Sequence, residues 1–121
     1  MAGKKKEVCT AIKDQEDFLN HYYTEKNDKL LVIDVYVNWA GPTTELMTSN
    51  YKKFMTDIDD YEKRLQFLSV DIDVIQEVMP NLHVSCRPKF LLLLQGKVVA
   101  EITGTDMPTL TEKIFKNLPY I

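Results

Sequence analysis

The 121 residues predict one α/β domain: a mixed central sheet of about five strands with helices on both faces, ordered β α β α β α β β α. Three observations carry this expectation. Residues 30–37 (LLVIDVYV) form a near-continuous apolar, β-branched run, the pattern of a strand covered on both sides. The early strand-like runs alternate with stretches of helical spacing, which implies parallel pairing through right-handed crossovers. The last two runs, 90–94 and 98–102, are joined only by Gln95, Gly96 and Lys97, a glycine-containing hairpin connection.

Taken in order, residues 7–12 (EVCTAI) read as a short strand with Val8, Thr10 and Ile12 on one face. Asp14 or Gln15 opens a helix carrying Phe18, Leu19 and Tyr22 at helical spacing, and residues 26–29 (KNDK) break it. After the 30–37 strand, Pro42 suits the first turn of a helix, where its missing N–H costs nothing, and Glu45 suits the positive helix end. Leu46, Met47, Tyr51, Phe54, Met55, Ile58 and Tyr61 then recur at spacings of three and four, an amphipathic helix of about four to five turns. Residues 65–72 read as a strand, 74–79 as a short helix stopped by Pro80, and 83–89 as a loop. Asp106 caps a last helix with Pro108 in its first turn and Leu110, Ile114 and Phe115 facing inward, and Pro119 stops it.

Composition excludes several classes. A hydrophobic fraction of 45% and a charged fraction of 27% are those of an ordinary globular chain, expected to form one domain over 1–121 with 1–6 as a flexible basic terminus. A net charge of −3 argues against a nucleic-acid binder, and Lys4, Lys5 and Lys6 read as a solvated end. The apolar run 90–94 is far short of the ~18 residues a membrane span requires, and no signal peptide is read, so no membrane partner is expected and the location is cytoplasmic. Two cysteines, Cys9 and Cys86, are too few for a secreted disulfide framework. His21 and His83 read as isolated, the Asp71 and Asp73 pair lacks the rest of a calcium loop, and no phosphate-binding glycine motif is present, so neither metal nor cofactor is expected.

The strand at 30–37 leads to Trp39 and then to Ala40, Gly41, Pro42 and Thr43. With Asp34 in that strand, Arg87 and Pro88 before a strand, Gly96 in the hairpin and Gly104 after it, this order resembles the thioredoxin family over nearly the whole chain. The resemblance implies that Asp34 stands at the family's buried-acid position, Pro88 at its cis-proline, and Ala40 and Thr43 at its two redox cysteines. The chain departs from the family at Ala40, at Thr43, and at Thr48, where many members have a helix-kinking proline. The segments AGKKKEV and LLVIDVYVNWAGP also resemble the thioredoxin-like light chains of axonemal outer-arm dynein, and the thioredoxin domains that precede nucleoside-diphosphate-kinase-like modules in ciliary proteins. The absence of a kinase-like module from these residues favours the light chain. The resemblance implies a dynein heavy chain and other outer-arm subunits as partners, at a ciliary or flagellar axoneme.

Thiol–disulfide exchange needs a thiolate to attack a disulfide sulfur. Ala40 has no nucleophile, and the hydroxyl of Thr43 does not displace thiolate from sulfur under mild conditions. The chain is therefore expected not to be a dithiol enzyme. Two readings of the turn remain: a joint between strand and helix, or a docking loop anchored by Trp39. Asp34 is expected to be either satisfied by water or paired with a lysine such as Lys89, and its replacement by Leu or Asn is expected to leave stability equal or higher near neutral pH. The main chain before Pro88 is expected to hold an extended partner segment as an added strand, in a groove lined by Trp39, Pro42, Arg87, Pro88 and the turn Thr103, Gly104 and Thr105. Cys86, beside Arg87, is either a small packed side chain or a reactive thiol forming a mixed disulfide with a partner.

Overall fold

The computed structural model describes residues 8–85 and 87–119, with only the backbone of 44 and 45. Strand β1 is Thr10–Ala11, and helix α1, Gln15–Asp17, runs on as a π-helical segment, Phe18–Tyr22. Strand β2 is Leu30–Tyr36, α2 is Thr44–Asp57, α3 is Tyr61–Arg64 and β3 is Leu65–Asp71. Helix α4 is Ile72–Ile75, β4 is Lys89–Leu94, β5 is Lys97–Thr103 and α5 is Met107–Asn117. The five strands lie in the order β1-β3-β2-β4-β5. β2 runs parallel to β3, and β3 to β1, while β4 is antiparallel to β2 and to β5. This is the mixed sheet with helices on both faces that the pattern predicts.

The faces follow the period of two along a strand. Leu30, Val32, Phe67 and Leu92 point to one side and pack with Met47, Tyr51, Phe54, Leu110 and Ile114 of α2 and α5. Leu31, Ile33, Val35, Leu68 and Leu91 point to the other and meet Phe18, Ile72 and Ile75. Burial on both sides explains why β2 carries no polar alternation, and it leaves Asp34 on the α2 side.

Several local expectations are corrected. Val8 and Ile12 do not share a face: Val8 packs against the α2 side and Ile12 sits in the opposite core. Leu19 is exposed, because the π-helical widening gives Tyr23 N–H to the carbonyl of Phe18 and shifts the buried stripe. The long helix after Pro42 is broken into two. α2 ends at Asp57 with Ile58 extended, and Asp60 turns the chain with φ +57° before α3. Tyr61 continues the apolar spacing across that break, which hides it from periodicity. Pro42 lies just before Thr43, the N-cap, rather than within the first turn. The helix expected at 74–79 begins earlier, because Asp71 caps it by accepting from the Asp73 N–H at 2.9 Å. Leu46 and Phe115 are exposed, since the sheet covers only one stripe of each helix.

The hairpin turn places both Gln95 and Gly96 at positive φ, 51° and 77°, the geometry of a two-residue type I′ turn. Further along, Leu93 pairs with Val98 and Leu92 with Ala100, so Val99 is left over as a bulge in the outer strand. The expected basic terminus, residues 1–6, and Cys86 lie outside the described residues.

Candidate functional site

The sheet register gathers most of the candidate residues at one end. Val35 pairs with Lys89, and Lys89 pairs with Thr103. The end of β2, the start of β4 and the end of β5 therefore lie side by side. The turn leaving β2 is tight: the amides of Ala40 and Gly41 both donate to the carbonyl of Val37, each at 3.0 Å. Gly41 has φ +74°, a left-handed conformation that favours glycine, while space around it is open. Trp39 is 76% exposed, and Leu46, in the first turn of α2, is 78% exposed. Two large apolar side chains thus flank the turn without burying themselves.

Asp34 is fully buried at the base of this turn. Its Oδ2 accepts from the Thr43 amide at 2.8 Å and from the Thr43 hydroxyl at 2.7 Å. The lysine partner expected for Asp34 is not the one seen: Lys89 Nζ pairs with Glu101 at 3.4 Å. Lys89 stands opposite Val35 rather than Asp34, so alternation along the strand aims it at the other face of the sheet. Burial raises the Asp34 pKa above the usual carboxylate value, and the two bonds from Thr43 partly oppose that rise. Tyr51, fully buried from α2, has its phenol pushed far up by burial, with smaller contributions from Cys9 and Asp34.

The Arg87 and Pro88 segment is held from the other side. The Gly104 amide donates to the carbonyl of Pro88 at 2.8 Å, and the Arg87 side chain passes close to Gly104. Gly104 is buried, whereas Arg87, Thr103 and Thr105 are exposed. The expected cis-proline is corrected: no peptide bond among the described residues is cis, Arg87–Pro88 included. Trans is the favoured state of an X–Pro bond, and here it still lets the Pro88 carbonyl meet Gly104.

Outside this end, His21 is not isolated: its Nδ1 lies 2.8 Å from Asp17 Oδ1, one helical turn earlier. Spacing of four residues was the available signal. Hydrogen bonding from the Lys13 amide, foremost, holds the Asp17 carboxyl below its usual value. Among the described residues no group of three or more potential ligands is placed to hold a metal, and no helix is long and apolar enough to cross a membrane.

The sequence model of the family described as Thioredoxin matches residues 9–116. The chain is 30% identical over 115 residues to thioredoxin domain-containing protein 3 of Mus musculus, covering 94% of this chain and 19% of that protein. It is 32% identical over 90 residues to thioredoxin-1 of Drosophila melanogaster, covering 74% of this chain and 80% of that one. The chain thus spans about a fifth of the length of the first of these relatives. Among solved structures, a thioredoxin from Nicotiana alata superposes with a TM-score of 0.67 at 25% identity, covering 98% of this chain and all of that one.

Proposed function

The chain belongs to the thioredoxin family, and from that premise we propose that it works without dithiol chemistry, as a protein-binding light chain of the axonemal outer dynein arm that contacts the heavy chain and other outer-arm subunits. The observation that carries the binding role is Trp39, 76% exposed on the rim of a turn whose backbone is tightly held. A rigidly mounted aromatic costs little entropy to dock and buries a large apolar area when it does. Arg87, Pro88 and Thr103 stand at the same end of the sheet, and the main chain before Pro88 is the part we assign to pairing with an extended partner segment.

The same turn supports the silent reading. Ala40 offers no nucleophile, and the Thr43 hydroxyl is already engaged as a donor to Asp34. Dynein as partner, and the cilium as location, rest on the likeness of AGKKKEV and LLVIDVYVNWAGP to outer-arm light chains. Two assays test the proposal. With thioredoxin reductase and NADPH the chain should leave insulin unreduced, and measurable turnover overturns the silent reading. Trp39→Ala and Arg87→Glu should each reduce retention of the heavy chain about tenfold in pulldown with unchanged circular dichroism. Retention equal to wild type places the interface elsewhere. Retention of Cys86→Ser equal to wild type under oxidant removes the alternative of a mixed disulfide through Cys86.

A further inference from the structure

Helices α2 and α5 lie on one face of the sheet, and a second surface opens between them. Met47, Tyr51, Leu110 and Ile114 turn inward to the core, and the ring centre of Phe54 lies 6.2 Å from that of Phe115. Above this pair is a hollow of about 420 Å³, bounded by Phe54, Pro108 and Phe115 with Asn50, Lys53 and Asp57 along its α2 side. Phe115 is 50% exposed there. Lys53 and Asp57 stand one turn apart, both exposed, and among the described residues neither is in an ion pair. Their order bears on this, because lysine ahead of the acid is the poorer arrangement at a spacing of four. Asp57 is also the last residue of α2, at the negative end of the helix dipole, and no basic residue stands in that last turn. Its carboxylate is thus best served by a cation from outside the helix.

We propose that this face binds a second copy of the chain about a two-fold axis, with the two α2 helices antiparallel, each Lys53 against the copy's Asp57 and each Phe115 in the copy's hollow. A two-fold interface uses the same patch twice, so the patch must complement itself. This one carries a cation and an anion on one helix face, and an axis crossing α2 at the level of residue 55 exchanges them. It also carries a half-exposed ring beside a hollow. The two charges lining the hollow cancel, whereas the whole chain has net charge −3. Like net charge opposes self-association, and a neutral patch is where that cost is least. Antiparallel helices also bring each negative helix end toward a positive one. The apolar contact supplies the affinity, while exposed ion pairs are worth little singly and here fix the register. Trp39 and Leu46 lie outside the patch, so the dimer carries two Trp39 turns.

The test is sedimentation equilibrium of the full chain from micromolar to millimolar concentration, with reductant present to remove any dimer held by a disulfide. The mass should rise from one chain to two. Lys53→Asp and Asp57→Lys should each weaken association about tenfold, and the two together should restore it. The single variants change the net charge in opposite directions, so a general charge effect would strengthen one and weaken the other. Phe115→Ser should also weaken association by about tenfold or more. Dilution should move the amide resonances of Lys53, Phe54 and Phe115 and leave those of Trp39 and Gly104 in place. A single-chain mass at every concentration overturns the proposal, and it does so even where an amphipathic helix of another protein fills the hollow. A dimer whose dilution shifts centre on Trp39, or one that the double variant fails to restore, overturns it as well. None of these readouts involves heavy-chain retention at the Trp39 turn, so the two surfaces succeed or fail separately.

Discussion

Asp34 is a carboxyl removed from water whose hydrogen-bond donors, among the described residues, both belong to Thr43. The folded chain therefore holds its proton more tightly than the unfolded chain does. The contribution of Asp34 to stability is then greatest below the unfolded value of about 3.9, falls as pH rises toward the raised folded value, and is level above it. Asn at 34 keeps an acceptor for Thr43 and removes the charge. Asp34→Asn should thus be more stable than wild type at pH 7 and should flatten the pH slope, measured as urea midpoints from acid to neutral pH. A slope unchanged from wild type contradicts this account. Leu has no acceptor and strands both Thr43 donors, at about 1–3 kcal/mol. Asp34→Leu should therefore fall below Asp34→Asn, which separates two substitutions that the sequence treats alike. The pairing itself was not legible: a buried acid in an apolar strand is visible, but its partner nine positions on depends on how the turn folds back.

At the scale of elements, α5 shows what local chemistry determines. Asp106 accepts from the Thr109 amide at 3.2 Å, and Leu110 and Ile114 are buried one and two turns later. Asp106→Ala should lower stability by about 1 kcal/mol, and Asp106→Ser should recover most of it, read by thermal or urea denaturation. An alanine variant as stable as wild type leaves the cap without energetic weight. This helix was legible because cap, proline and apolar stripe are all near neighbours in sequence. So were β2, β3 and the hairpin. The break between α2 and α3 was not, because Ile58 and Tyr61 keep the apolar spacing while Asp60 reverses the backbone. The exposure of Leu46 and Phe115 was equally hidden, since periodicity marks an apolar residue without saying how far the sheet reaches beneath it.

For the whole molecule, the joint between β2 and α2 makes a direct prediction about dithiol chemistry. If the scaffold keeps its geometry, Ala40→Cys with Thr43→Cys should form a disulfide and confer insulin reduction with dithiothreitol as reductant. Two thiols that remain titratable under oxidant would show that the turn has drifted from a redox-competent shape. The fold and one end of the site were readable because strand order, turn glycines and the Arg87 and Pro88 segment recur in sequence. The bulge at Val99 bears on one border of the sheet. β5 is its outermost strand there, and Val98 and Val99 are exposed on it. A straight border of that kind offers a template on which another chain can pair. The extra residue dislocates the ladder halfway along, so a colliding molecule meets a shorter and bent template for strand pairing.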